Sequence, residues 1–185
     1  MKPYAELECY ELDIIQSKVF NYLANNDILD DSQSGWIFID SIKLLSAVPE
    51  LVDYFAKLKL YVRNTAITLA RTNQDLTMHM DTLPVVAKIN FPILNTDGWA
   101  NRWYEVEQSI LDQCSLIKDK FGNDIEDLSL IPKKEFKLTA ELLDMKKPIV
   151  FNSRIPHEVV KIADVVGPRI VASFTFHNEP IGLLK

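Results

Sequence analysis

Along residues 1–58 the apolar positions recur at helical spacing, whereas from residue 59 onward they run or alternate as strands do. In Leu12–Leu23 the residues Ile14, Ile15, Val19, Phe20 and Leu23 form one helical stripe, and Asn25-Asn26-Asp27 ends it. Ser32–Gly35 reads as a turn, Trp36–Ile39 as a short apolar strand, and Pro49 opens a helix continuing through Leu58. Leu60–Arg71 is rich in Val, Ile, Thr and Tyr, the residues that suit a pleated surface. Asn73-Gln-Asp75 reads as a turn, and Met78–Leu94 as strand interrupted near Pro84 and ended by Asn95-Thr-Asp-Gly98. Further strands are predicted at Trp103–Val106, Pro148–Asn152 and Arg169–Phe176. The stretch Ser109–Lys147 is the least legible, with helical character at Ser109–Lys120 and Thr139–Leu143. Helices in front and strands behind, without βαβ alternation, predict an α+β protein with a sandwich or barrel core.

Bulk properties narrow the class. A chain of 185 residues has the size of one domain, and no repeat or linker divides it, so residues 1–185 are read as a single domain. The net charge of -6 argues against a general nucleic-acid binder, which needs a concentrated basic face. The start, Met-Lys-Pro-Tyr-Ala-Glu, has acidic residues where a secretory signal needs an apolar core, and no apolar run is long enough to span a bilayer. Cys9 and Cys114 belong to no CxxC pair and suit a reducing compartment. These features predict a cytoplasmic protein with no membrane partner.

The chemistry rests on few residues. His79 and Asp81 flank Met80, and residues two apart on a strand point to one face, so both can grip one ion. His157 lies far downstream, after the strand Pro148–Asn152. Two imidazoles and one carboxylate form the ligand set of a non-haem iron(II) facial triad, with the opposite face open. A His-x-Asp pair also arises by chance, and by itself His79 reads more readily as a surface or core histidine near a turn than as a ligand. Arg169 follows the turn Gly167-Pro168 and heads the apolar strand Ile170–Phe174, a place where a charge is either paired or at an edge. Its planar fork matches a carboxylate. His177 follows the last strand and reads as an exposed loop histidine. Trp99, Trp103 and Tyr104 read first as core, with a substrate lid as the second possibility. No P-loop, Rossmann glycine motif or GxSxG elbow is present.

In His79-Met-Asp81, the distal His157 and Arg169 twelve positions later, residues 59–177 resemble the 2-oxoglutarate- and iron(II)-dependent oxygenase superfamily, prolyl and aspartyl/asparaginyl hydroxylases included. Asn90-Phe-Pro92 is similar to an Asn-x-Pro stretch common in that family. The resemblance implies a double-stranded β-helix (jelly-roll, cupin-like) core behind N-terminal helices. It also implies Fe(II) held by His79, Asp81 and His157, and 2-oxoglutarate as co-substrate with its far carboxylate on Arg169. Some members place a serine or threonine two residues after the arginine, where this chain has Val171. Tyr61 and Asn90 are the candidates to replace that donor, and each is also open to a purely structural role. Hydroxylation is the outcome the resemblance implies; the substrate, small molecule or peptidyl, is not specified.

Two other readings remain open at this level. One is a cupin-like metalloenzyme that uses no 2-oxoglutarate, favoured if Arg169 faces solvent. The other is a non-catalytic β-sandwich binding module, in which His79, Asp81 and His157 do not meet.

Overall fold

The computed structural model describes residues 2–29, 34–73, 76–82, 84–112, 114–118 and 124–184. Its frame is two six-stranded antiparallel sheets. The first contains β1 (Tyr4–Glu6), β2 (Gly35–Ile39), β3 (Val62–Ala70), β5 (Ala87–Leu94), β10 (Ile149–Asn152) and β12 (Arg169–Phe176), in the order β1-β10-β5-β12-β3-β2. The second contains β4 (His79–Asp81), β6 (Trp99–Glu105), β7 (Ser115–Lys118), β8 (Asp124–Asp127), β9 (Lys137–Leu143) and β11 (His157–Lys161), in the order β7-β8-β4-β11-β6-β9. From β3 to β6 the chain changes sheet at each successive strand, and it does so again from β9 to β12.

Three helices cover the outer face of the first sheet: α1 (Leu12–Asn25), α2 (Ser41–Ala47) and α3 (Pro49–Lys57). The Asp40 carboxylate starts α2 by accepting from the N–H groups of Ile42 and Lys43 at 2.9 and 3.1 Å, which satisfies two orphan donors of the first turn. Pro49 occupies the first turn of α3, where its missing N–H costs nothing. The buried stripes Ile15, Val19, Leu23 and Leu51, Phe55 pack against Ile67, Leu69, Ile89, Phe91, Phe174 and Phe176. Of the stripe expected for α1, Ile14 is instead half exposed and Phe20 is only partly covered.

This packing sets the side-chain alternation of the central strands. Ile67 and Leu69, Ile89 and Phe91, and Ile170, Ala172 and Phe174 face the helices. Period two then turns Thr68, Lys88, Asn90, Arg169 and Ser173 toward the second sheet, where they line a shared cavity. Along the central strands the space between the sheets is therefore lined by polar side chains of the first sheet, unlike an ordinary sandwich core, while Val171, Ile149 and Phe151 of the same sheet pack there with Trp103 and Leu142.

Phe55 is the aromatic centre of the helix–sheet contact, with ring centroids 4.9 Å from Phe174, 5.0 Å from Phe176 and 5.8 Å from Phe91. Phe55→Ala is expected to destabilise the fold by about 3–5 kcal/mol through lost burial and an unfilled cavity. A urea melt checks this, through a lowered midpoint at unchanged slope.

Several sequence expectations change. Thr139–Leu143 is not helical but part of β9, paired with β6. Leu138, Ala140 and Leu142 alternate with Lys137, Thr139 and Glu141, so the strand period was present beneath a helix-forming composition. Within Ser109–Lys120 only one helical turn forms, α4 (Gln108–Leu111), and Ser115–Lys118 is strand; residues 113, 119 and 120 lie outside the described residues. β6 begins at Trp99, earlier than expected, and His157 opens a strand of its own. The N-terminal region supplies the first sheet with β1, which was not expected, besides the expected strand at Trp36–Ile39, which forms β2. The turns expected at Ser32–Gly35 and Asn73–Asp75 fall partly outside the described residues. Among the described residues no helix is long and apolar enough to cross a membrane.

Candidate metal centre

The antiparallel pairing of β4 with β11 has a single register, His157 opposite His79. Directly opposed residues hold their Cβ atoms within about 5 Å on one face, and the two imidazole centroids stand 4.4 Å apart. Both rings are buried. Each Nδ1 is bonded to the carbonyl two residues upstream, His79 to Thr77 at 2.6 Å and His157 to Ile155 at 2.8 Å. A carbonyl only accepts, so Nδ1 carries the proton in both rings and Nε2 keeps its lone pair. Outer hydrogen bonds of this kind fix the tautomer and orientation of metal-binding histidines. Burial lowers the pKa of both rings, with His157 pushed down to about 3 by burial and then by His79. Both are neutral donors at physiological pH.

Asp81 is buried on the same strand as His79. Burial pushes its carboxyl up, but Lys88, His157 and His79 outweigh this and bring it to about 2. It is a carboxylate. As the side chains stand, no group of three His, Cys, Asp or Glu among the described residues is arranged around one ion position. The Asp81 carboxylate instead meets Lys88, Nζ to Oδ2 at 2.7 Å, as an ion pair without hydrogen-bond alignment.

The imidazoles open onto a narrow cavity between the sheets, walled by Trp36, Ile149 and Phe151 on its apolar side. Trp36 meets His79 edge-on at 4.9 Å and Phe151 meets His157 at 5.3 Å. The same cavity is lined by Arg169, which is 1 % exposed. Its Nη2 donates to Asn101 Oδ1 at 3.0 Å, its Nε has no partner, and it forms no ion pair among the described residues. Burial lowers its pKa to about 10, which leaves it charged at neutral pH. Nearby polar atoms are also unpartnered: Asn101 Nδ2, Trp103 Nε1 and Asn90 Oδ1. A buried guanidinium with idle donors beside it is costly unless an anion completes it.

Asn90 lines this cavity, opposite Ser173 in the β5–β12 register. Tyr61 does not. It is 70 % exposed and borders a separate surface depression with Leu45 and Val52, because it precedes β3 at the far end of the sheet. Tyr61 is therefore withdrawn as a binding residue. His177 is exposed, as expected. Trp99, Trp103 and Tyr104 are buried, and Trp103 forms part of the cavity wall. Lys88 and Asn101 also line the cavity, and sequence reasoning does not single them out. The signal for Asn101 was available: in Trp99-x-Asn101-x-Trp103 an amide shares one strand face with two tryptophans.

No family model and no curated protein matches this sequence. Solved structures do. The epimerase SnoN in complex with Fe3+, alpha ketoglutarate and nogalamycin RO aligns over 94 % of this chain and 78 % of its own, with a TM-score of 0.52 and 14 % identity. A second SnoN structure, described as a non-heme alpha ketoglutarate dependent epimerase from nogalamycin biosynthesis, aligns over 93 % and 75 %, with a TM-score of 0.51 and 12 % identity. A Pseudomonas putida prolyl-4-hydroxylase aligns over 94 % and 91 % at 12 % identity, with a TM-score of 0.48. The two SnoN alignments define the class of fold: this chain shares the architecture of a non-haem, α-ketoglutarate-dependent enzyme. At such identities the likeness speaks for the fold alone.

Proposed function

We propose that this protein is an iron(II)- and 2-oxoglutarate-dependent oxygenase built on a double-stranded β-helix. The strand orders support the fold reading: β10-β5-β12-β3 and β4-β11-β6-β9 are the two four-stranded walls that a jelly roll makes when its chain winds from sheet to sheet. The observation that carries the functional reading is one cavity with two kinds of unfinished chemistry. At one side stand two neutral imidazoles with Nδ1 locked, and at the other a buried guanidinium that meets no carboxylate among the described residues.

The donor set fits the metal. His79 and His157 offer two Nε2 lone pairs and Asp81 an ionised carboxylate, the harder ligand that suits iron(II) over a thiolate-binding ion. When bound, iron(II) with 2-oxoglutarate supplies O₂ activation and oxidation of a substrate C–H bond coupled to decarboxylation of the co-substrate. The chain's own residues do the positioning. Arg169 binds the far carboxylate, with Asn101 and Trp103 supplying the extra donors that Val171 cannot. Asn101 already holds the guanidinium in place before any ligand arrives. Trp36, Ile149 and Phe151 exclude water from the imidazole side. Arg169 on the cavity wall also disfavours a cupin-like enzyme without 2-oxoglutarate, since that reading has no use for a buried fork. Hydroxylation is the outcome proposed, on an organic substrate. The free thiols Cys9 and Cys114 are compatible with the cytoplasm, where we place it.

Anaerobic addition of Fe(II) and 2-oxoglutarate is expected to give a weak visible charge-transfer band, and admission of air to release succinate. A colourless mixture with no measurable iron affinity would overturn the reading.

A further inference from the structure

The Lys88–Asp81 ion pair has no place in the proposed chemistry, and it stands where the metal is to bind. The two side chains are 16 % and 11 % exposed, so solvent screens the pair weakly. β5 supplies the lysine from one sheet and β4 the carboxylate from the other, so the contact links the two sheets rather than running along a strand. At 2.7 Å the ammonium is close enough to neutralise the carboxylate directly, and against the opposing effect of burial it holds the Asp81 carboxyl low. A divalent cation arriving at Asp81 would lie beside the ammonium, and like charges at that range repel strongly in a poorly solvated site. The ion and Lys88 therefore exclude one another.

We propose, resting on the metal reading above, that Lys88 is an internal competitor for the metal position: its ammonium neutralises Asp81 in the metal-free protein and is displaced when a divalent ion binds. Lysine suits this role because its charge rides on a flexible stem with rotatable donors. Asn90 Oδ1, a buried acceptor without a partner two residues along the same strand face, gives the displaced ammonium somewhere to go. Competition of this kind makes the metal affinity of the protein lower than its ligand set alone would give. It also keeps the buried carboxylate paired, so the metal-free chain stays folded.

The test uses the full-length protein and Co(II) alone, followed by its visible absorption and by quenching of tryptophan fluorescence, since Trp36 and Trp103 line the cavity. Lys88→Met and Lys88→Gln remove the charge, and both are expected to bind Co(II) at least about tenfold more tightly than wild type. That factor is what a 1.4 kcal/mol change produces. Lys88→Arg keeps the charge and is expected to stay close to wild type. Thermal melts of the metal-free variants establish that each is folded. If the neutral variants bind as wild type does or more weakly, Lys88 merely orients Asp81 and the proposal is wrong. Tightening by Lys88→Arg as well would trace the effect to packing and also overturn it. If wild type and every variant fail to bind Co(II), the metal reading itself fails; a failure confined to Lys88 leaves that reading intact.

Discussion

His157→Ala is expected to weaken Fe(II) binding at least about 100-fold and to abolish both the charge-transfer band and succinate release. The magnitude exceeds the ~10–100-fold that loss of an outer hydrogen-bond partner costs, because on the proposed reading the variant removes a ligand itself. The fold should survive, since the ring lies at a cavity wall rather than in the packed helix–sheet core. Iron titration beside a thermal melt separates the two effects. A variant that binds iron as wild type does would remove His157 from the metal set. His79 is its direct partner across β4 and β11 and should behave alike.

Arg169→Met is expected to act in opposite directions on ligand binding and on stability. Truncating one member of a buried, hydrogen-bonded charge pair costs about 2–5 kcal/mol, so the Kd for 2-oxoglutarate should rise by roughly 30-fold or more. Without ligand, however, the guanidinium is a buried charge that, among the described residues, bonds Asn101 and leaves Nε without a partner. An apolar chain of similar length relieves that burden, so the melting temperature of the ligand-free variant should be unchanged or higher. Calorimetric titration with 2-oxoglutarate and a melt without it check the two signs. A structural arginine would give the converse, lower stability with unaltered affinity. Iron affinity measured without co-substrate should stay near wild type, which distinguishes this variant from His157→Ala.

The sequence and the structure agree where one local rule dominates. α3 begins at Pro49 and α1 follows its apolar stripe because each is decided within a few residues. β12 was legible because a stretch rich in β-branched and aromatic residues, Ile170, Val171, Phe174, Thr175 and Phe176, follows the Gly167-Pro168 turn. The errors fall where composition and period disagree. In β9 the residues Ala140, Glu141, Leu142 and Leu143 favour helix, yet pairing with β6 decided the matter. Tyr61 failed for another reason. Its neighbours suggested a strand that enters the core, but β3 starts one residue later and Tyr61 stays outside.

The candidate site divides along the same line. Its histidines, aspartate and arginine could be named from type and spacing, because few other residues bring that chemistry and His-x-Asp needs only strand alternation to share a face. Lys88 and Asn101 could not be assigned a role that way. An amide and a lysine occur in many strands, and only the stacking of two sheets shows which face is enclosed. The sequence alone determined the elements, the inventory of ligating groups and the order in which the chain presents them. Tertiary structure decided that His79 meets His157 across a strand pair, that Arg169 is buried with no carboxylate partner among the described residues, and that Lys88 holds Asp81. Those facts depend on register and on the packing of strands remote along the chain, where the hydrophobic face that β5 and β12 bury under the helices turns their polar residues inward together.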